Sequence, residues 1–150
     1  MADLDGDGDL DIASANRAGD DVTLFHQGPA GVWSALPNER LASALGPVGP
    51  GRILVVDVDG NGHLDILTGD ADEELTLFSF DPETGAFHTE PVARGEGGAA
   101  GSGGLSVGDS DGDGDIDVVV GDGPGDRLVV FHQRGGAAFA TEPDLELGNP

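Results

Sequence analysis

Three nine-residue segments place polar, mostly carboxylate side chains at alternate positions: Asp3, Asp5, Asp7, Asp9 and Asp11; Asp57, Asp59, Asn61, His63 and Asp65; Asp109, Asp111, Asp113, Asp115 and Asp117. Each carries oxygen side chains at loop positions one, three, five and nine, and glycine at position six (Gly8, Gly62, Gly114). Oxygen donors suit a hard cation, and calcium takes six to eight of them at about 2.3–2.6 Å in a flexible shell, whereas magnesium keeps its waters. A tight loop turns every second side chain inward, and a glycine at position six permits the φ > 0 turn that returns position nine to the ion. Position seven (Asp9, His63, Asp115) can offer its backbone carbonyl, so a histidine is tolerated there. The first and third loops hold five aspartates each. Like charges 4 Å apart repel by about 1 kcal/mol in water and several times more near a protein surface, a repulsion that a divalent ion turns into attraction. Asp and Gly are also common in solvated turns. Three loops in one register, each with glycine at position six, favour cation loops over that reading.

These loops are not EF-hands, which need a bidentate Glu at position twelve and flanking helices; here position twelve is Ser14, Thr68 and Val120. The residues that follow (Leu10–Ser14, Leu64–Thr68, Ile116–Val120) are short and mostly apolar, with β-branched members, and read as strands. Loop starts lie 54 and 52 residues apart, which also excludes the nine-residue calcium repeat of secreted proteins. A second strand is expected at Val22–Gln27, Leu75–Phe80 and Leu128–Gln133, a third around the aromatics Trp33, Phe87 and Phe139, and a leading strand at Arg52–Val56 and Gly104–Val107. Turn clusters fall at Asn16–Asp21, Gly69–Glu74 and Gly121–Asp126, with glycine-rich connections at Val48–Gly51 and Gly95–Gly104. Four short strands every fifty-odd residues make the unit of a β-propeller blade. A blade buries both faces only against neighbours, which accounts for the repetition. The fold expected is therefore all-β, three four-stranded antiparallel repeats forming a partial propeller in one domain, with repeats at 3–48 (without its leading strand), 49–101 and 102–150.

The chain of 150 residues has 29 acids, 6 arginines and no lysine, for a formal charge of −23. Thirteen of the acids lie in the loops, and three divalent cations would add +6 to leave −17. Such a surface argues against nucleic acid and anionic membranes as partners, and the missing lysine removes P-loop and Schiff-base chemistry. There are no cysteines, hence no disulfides or thiol chemistry. No apolar run is long enough to span a membrane, and no signal peptide precedes the first loop. Weak calcium modules belong mostly outside cells, so an extracellular, periplasmic or cell-surface setting is expected, with the targeting segment absent from this chain.

The pattern D-x-[DN]-G-[DN]-G-x-[LI]-D-[IV] followed by a short strand resembles the FG-GAP/VCBS repeat family, which includes the propeller of integrin α-subunits and many bacterial surface proteins and lectins. The resemblance covers nearly the whole chain. It implies calcium held between the first and second strands of each blade. The side-chain ligands it implies are Asp3, Asp5, Asp7 and Asp11; Asp57, Asp59, Asn61 and Asp65; and Asp109, Asp111, Asp113 and Asp117, with Asp9, His63 and Asp115 acting through their carbonyls. The family's Gly-Ala-Pro is replaced by Ser14-Ala15-Asn16, Thr68-Gly69-Asp70 and Val120-Gly121-Asp122, and its Phe-Gly start is missing, so the chain stands nearer the bacterial VCBS form. Family rings have about seven blades, so three would be a segment of a larger propeller or would be completed by further copies.

Other motifs carry less. Gly95-Glu-Gly-Gly-Ala-Ala100 matches a dinucleotide fingerprint loosely, but a strand rather than a helix follows, so it reads as a linker. His26 and His132 read as outward-facing strand residues, since four scattered histidines without cysteine are poor evidence for zinc. Trp33, Phe87 and Phe139 could stack on sugars, but their recurrence in register favours blade core. The paired carboxylates that could serve a glycosidase are better explained as metal ligands, and no nucleophile elbow is present. The function expected is a non-enzymatic calcium-binding module for extracellular binding or adhesion, with structural calcium, three sites and a protein or glycan ligand. The alternatives are a carbohydrate-binding lectin or an accessory domain of a polysaccharide-active enzyme.

Overall fold

A computed structural model of the chain describes residues 1–42, 49–70, 74–94, 104–122, 127–136, 138–139 and 144–148. The expected linker at Gly95–Ala100, and most of the interblade connections and the later turn clusters, lie outside these residues.

β-branched and leucine-rich runs separated by Asp/Gly turns fold into strands, and the strands pair into one sheet per repeat. The first sheet joins β1 (Ile12–Asn16), β2 (Asp21–Phe25) and β5 (Glu39–Ala42), with a two-stranded ribbon of β3 (Gln27–Gly28) and β4 (Val32–Trp33) at its side. The second runs in order through β6 (Pro50–Val56), β7 (Asp65–Asp70), β8 (Glu74–Asp81) and β9 (Ala86–Arg94). The third runs through β10 (Leu105–Gly108), β11 (Asp117–Asp122), β12 (Arg127–Phe131) and β13 (Leu145–Gly148). Every named pairing is antiparallel, and equivalent residues face each other in all three sheets: Ile12 opposite Phe25, Ile66 opposite Phe78, Val118 opposite Phe131. Among the described residues there is no α-helix.

Strand alternation sends successive side chains to opposite faces, and the faces meet in two apolar layers. Val22, Leu24, Leu41 and Leu4 of the first blade pack with Ile66 and Phe78 of the second. Leu67, Leu75, Leu77, Val92 and Val58 of the second blade pack with Val118, Val120, Val129 and Phe131 of the third. The middle blade is thus covered on both faces, as stacked repeats require.

The expected strands differ from the observed ones at several points; in the third blade the strand that pairs with β12 is Leu145–Gly148, not one around Phe139, which forms an isolated bridge. Leu10, Leu64 and Ile116 precede their strands, which start at Ile12, Asp65 and Asp117; the carboxylate at position nine of each loop is fastened where the ladder begins. Pro50 and Gly51, expected in a connection, open β6. The third strand of the first blade is split. Trp33 pairs with Gln27 in the side ribbon, and the sheet is resumed only at Glu39 opposite Leu24. The register of the aromatics nevertheless recurs: Phe87 faces Phe80, and Phe139 bridges to Gln133, the position equivalent to Gln27. Phe87 and Phe139 pack against the two interblade layers, while Trp33 is half-buried outside them.

Candidate metal centres

Each acidic segment is a loop that leads into β1, β7 or β11, and its shape is built by its own carboxylates. The glycines at positions four and six all take positive φ, from 72° at Gly60 to 97° at Gly114, a region that L side chains rarely adopt. Sequence reasoning required this at position six only. With the backbone so turned, Asp3 accepts from the amides of Gly6 and Gly8 (2.8 and 3.1 Å), and Asp109 from those of Gly112 and Gly114 (2.7 and 3.2 Å). Asp57 does the same with Asn61 and Gly62 (3.1 and 2.9 Å). Positions three and five each accept the amide two residues on, through Oδ1: Asp5 from Asp7, Asp7 from Asp9, Asp59 from Asn61, Asn61 from His63, Asp111 from Asp113, and Asp113 from Asp115. These are side chain-to-backbone turns that leave the second oxygen of each Asp free of the loop's backbone amides.

Position nine has a different task. Asp11, Asp65 and Asp117 are wholly buried. One oxygen of each accepts from the amide of loop position two (Leu4, Val58, Ser110) at 2.7–2.8 Å. The other accepts from the residue after the second strand's aromatic-polar pair (Gln27, Phe80, Gln133) at 2.9–3.0 Å. The carboxylate therefore ties loop, first hairpin strand and second strand together. The residue at position two is anchored in turn, since Leu4 and Val58 lie in the two interblade layers.

Carboxylate oxygens converge in every loop. Asp3, Asp5 and Asp7 form one group, Asp57, Asp59 and Asp65 another, and Asp109, Asp111 and Asp117 a third, with Asp5 and Asp11 also meeting His26; within each group the ligand atoms lie within 4.8 Å of one another. At that separation each pair of charges costs about 1 kcal/mol in water and about 3 kcal/mol near a protein surface, so three converging carboxylates are an unfavourable arrangement on their own. Asp113 is not in the third group, although its counterpart Asp7 is in the first. The side chains of Asp9 and Asp115 join none, and His63 stacks on Phe80 with ring centres 5.3 Å apart. Asn61 reaches Asp59 through its amide nitrogen at 3.1 Å.

The electrostatics of the loops differ. Burial raises the carboxyl of Asp65 above the usual carboxylate value, and the charges of Asp59 and Asp57 add to the rise despite two backbone hydrogen bonds. Burial likewise raises Asp5, with Asp11 and Asp7 contributing. For Asp11, burial is outweighed by the amides of Gln27 and Leu4 and by His26, which hold it low. For Asp117, burial is outweighed by Ser110, Gln133 and His132.

The histidines were expected to face outward from the second strands; the structure places them against the loops instead. β2 and β12 end at Phe25 and Phe131, and the next residue turns towards the carboxylates. His26 Nδ1 lies 3.3 Å from Asp5 Oδ2 and 3.3 Å from Asp11 Oδ2, and His132 Nδ1 lies 3.9 Å from Asp111 Oδ2. Their recurrence before glutamine was visible in the sequence; their direction depends on where pairing stops. Gln133 was also missed: it is buried and its Oε1 accepts the Ile116 amide at 2.8 Å. The residues fit a divalent cation on two observations. The converging donors are oxygen-rich, and the buried His26 Nδ1 finds no hydrogen-bond partner despite its two carboxylate neighbours.

Stacked antiparallel sheets, each entered through an acidic loop, define a β-propeller-type repeat module. The profile of the FG-GAP-like repeat matches residues 3–68 and 57–120, each window opening on position one of a loop, and the chain belongs to this family. No curated protein matches the chain. FG-GAP repeats are typical of extracellular or surface proteins, and no helix among the described residues is long and apolar enough to cross a membrane.

Proposed function

We propose that the chain is a calcium-binding propeller module acting in extracellular binding or adhesion, with calcium in a structural and not a catalytic role. The observation that carries this reading is the convergence of three carboxylates in each of three loops, with the position-nine aspartate wholly buried in each. Bound calcium would supply positive charge that offsets their repulsion. Asp3, Asp5, Asp7 and Asp11 would hold it in the first loop, Asp57, Asp59, Asn61 and Asp65 in the second, and Asp109, Asp111, Asp113 and Asp117 in the third, with the carbonyls of Asp9, His63 and Asp115. Because position nine also joins two strands, filling a loop stabilises the hairpin that it enters. The module is read as non-enzymatic and as working at a cell surface or in the periplasm through a protein or glycan ligand. It would act within a larger propeller or a homo-oligomer.

Thermal melting with and without chelator tests the reading. At a calcium concentration 100 times Kd, each independent site adds about 2.7 kcal/mol when only the folded state binds. EDTA should therefore lower Tm by many degrees. A melting curve unchanged by EDTA, in protein shown free of residual metal, would overturn structural calcium.

A further inference from the structure

The three blades are unequal at the residue that follows the phenylalanine of the second strand; in the first and third it lies just beyond the strand's end, and in the second it is paired within β8. That repeat position is His26 in the first blade, Ser79 in the second and His132 in the third. The backbone holding each imidazole is fixed in the same way. The His26 amide donates to Asn38 Oδ1 at 2.9 Å and the His132 amide to Asp144 Oδ2 at 2.9 Å. The next amide, of Gln27 or Gln133, donates to the buried aspartate of the loop. Both histidines are thus tied to the loop they face.

We propose that His26, and by repeat equivalence His132, is a nitrogen ligand of its loop, so that the first and third loops take borderline divalent cations such as Co2+ or Zn2+ as well as calcium, while the second is restricted to hard cations. The inference rests on reading the loops as cation sites. Its main support is the state of His26 Nδ1. The atom is buried and lacks a hydrogen-bond partner, although Asp5 Oδ2 and Asp11 Oδ2 both lie 3.3 Å away. The two oxygens flank Nδ1 at equal distance, so neither is singled out as its acceptor. Two donors at tetrahedral angles around a cation such as zinc, each about 2.0–2.1 Å from it, stand about 3.3–3.4 Å apart, which matches the spacing of Nδ1 from both oxygens. Nδ1 would bind as the unprotonated nitrogen, since a ligand must shed its proton. His132, at 3.9 Å from Asp111 Oδ2, is the looser of the two.

The selectivity follows from donor chemistry. Carboxylate and carbonyl oxygens suit calcium, magnesium and manganese, whereas imidazole suits zinc, copper, iron and nickel. One nitrogen among oxygens shifts a site towards the borderline metals. Ser79 offers no nitrogen, so the second loop keeps an all-oxygen set.

The test uses the whole chain stripped of metal. Calcium and Co2+ are titrated separately by calorimetry into wild type, His26→Gln, His132→Gln and Ser79→His. Zinc is added to 15N-labelled protein while the imidazole nitrogens are followed by NMR. The expected result is loss of about tenfold or more in Co2+ affinity at one site per His→Gln variant. Calcium affinity should fall much less than Co2+ affinity, Ser79→His should gain Co2+ affinity at the second loop, and zinc should shift the Nδ1 resonance of His26. Co2+ binding by both His→Gln variants as in wild type, or an Nδ1 resonance unmoved by bound zinc, overturns the proposal and leaves the histidines as ion-pair partners of the loops. Failure of wild type to bind calcium while Co2+ still depends on His26 would instead remove the calcium reading and keep this one.

Discussion

Asn61 is the one neutral side chain among the twelve expected side-chain ligands, and its amide nitrogen donates to Asp59 Oδ2. Asn61→Asp removes that bond and adds a like charge, so with EDTA present the variant should melt below wild type. With calcium the sign reverses, because ligand charge raises affinity. Calorimetry should rank the second loop weakest in wild type and show it tightened by the substitution; a second loop that binds tightest of the three would refute the ranking. Away from the loops, Asp21 gives the chain an acid-sensitive contact. Burial pushes its carboxyl up, but hydrogen bonds from Asn16 Nδ2 (2.8 Å) and Arg40 (2.7 Å) more than offset this and hold it below 3.8. A depressed carboxylate contributes stability that is present above its unfolded value and is lost as pH falls through its folded one. Asp21→Asn should therefore cost about 1 kcal/mol at neutral pH. The difference between wild type and variant should shrink as acid is added below 3.8. Paired denaturation curves across that range check it, and a difference independent of pH would contradict it.

At the scale of the elements, stability lies between blades. Phe78 is almost wholly buried on the face of the second sheet that meets Val22 and Leu24 of the first. Phe78→Ala should cost about 3–5 kcal/mol, the range for a truncated buried aromatic. Phe87, beside the same layer but half-buried, should cost clearly less when truncated. Equal losses in urea denaturation would mean that the layer is not where the blades are held. The same layers receive Leu4 and Val58 from position two of the loops, so packing between blades and the shape of the acidic loops are one structure. Damage to a layer should loosen the loop beside it.

At the scale of the whole molecule, the third sheet carries an apolar face left uncovered among the described residues. Leu128 is 46 % exposed, whereas its repeat equivalents Val22 and Leu75 are 0 % and 1 % exposed within the interblade layers. Leu147 pairs directly with Leu128, and Leu145 with Val130, so β13 adds its own exposed leucines to this face. Directly paired residues share a face, and a contiguous exposed apolar patch marks an interface. On this ground we propose that a further blade or a second copy covers the third sheet. Light scattering in millimolar calcium should show the chain associating as its concentration rises. Leu128→Glu with Leu147→Glu should return it to monomer without lowering calcium affinity. A wild-type monomer at all concentrations would mean that the formal charge of −23 keeps these faces apart.

Several features were legible in the sequence because their causes are local. A glycine that must take positive φ, a run of β-branched residues and carboxylates at alternate positions act over a few residues. Their recurrence near every fifty residues implies stacking, because a blade alone cannot bury its faces. The all-β blades, their register and the convergence of most loop aspartates followed from these. Tertiary structure decided what depends on residues brought together across the hairpin or between blades. Asp11 meets the Gln27 amide, and His26 meets Asp5, only once strand pairing has ended at Phe25. Trp33 left the sheet because pairing was interrupted before Glu39, and Leu128, unlike its equivalent Val22, is uncovered among the described residues. No periodicity records where a ladder stops or which face finds a neighbour; those outcomes are set by pairing and packing across the whole chain.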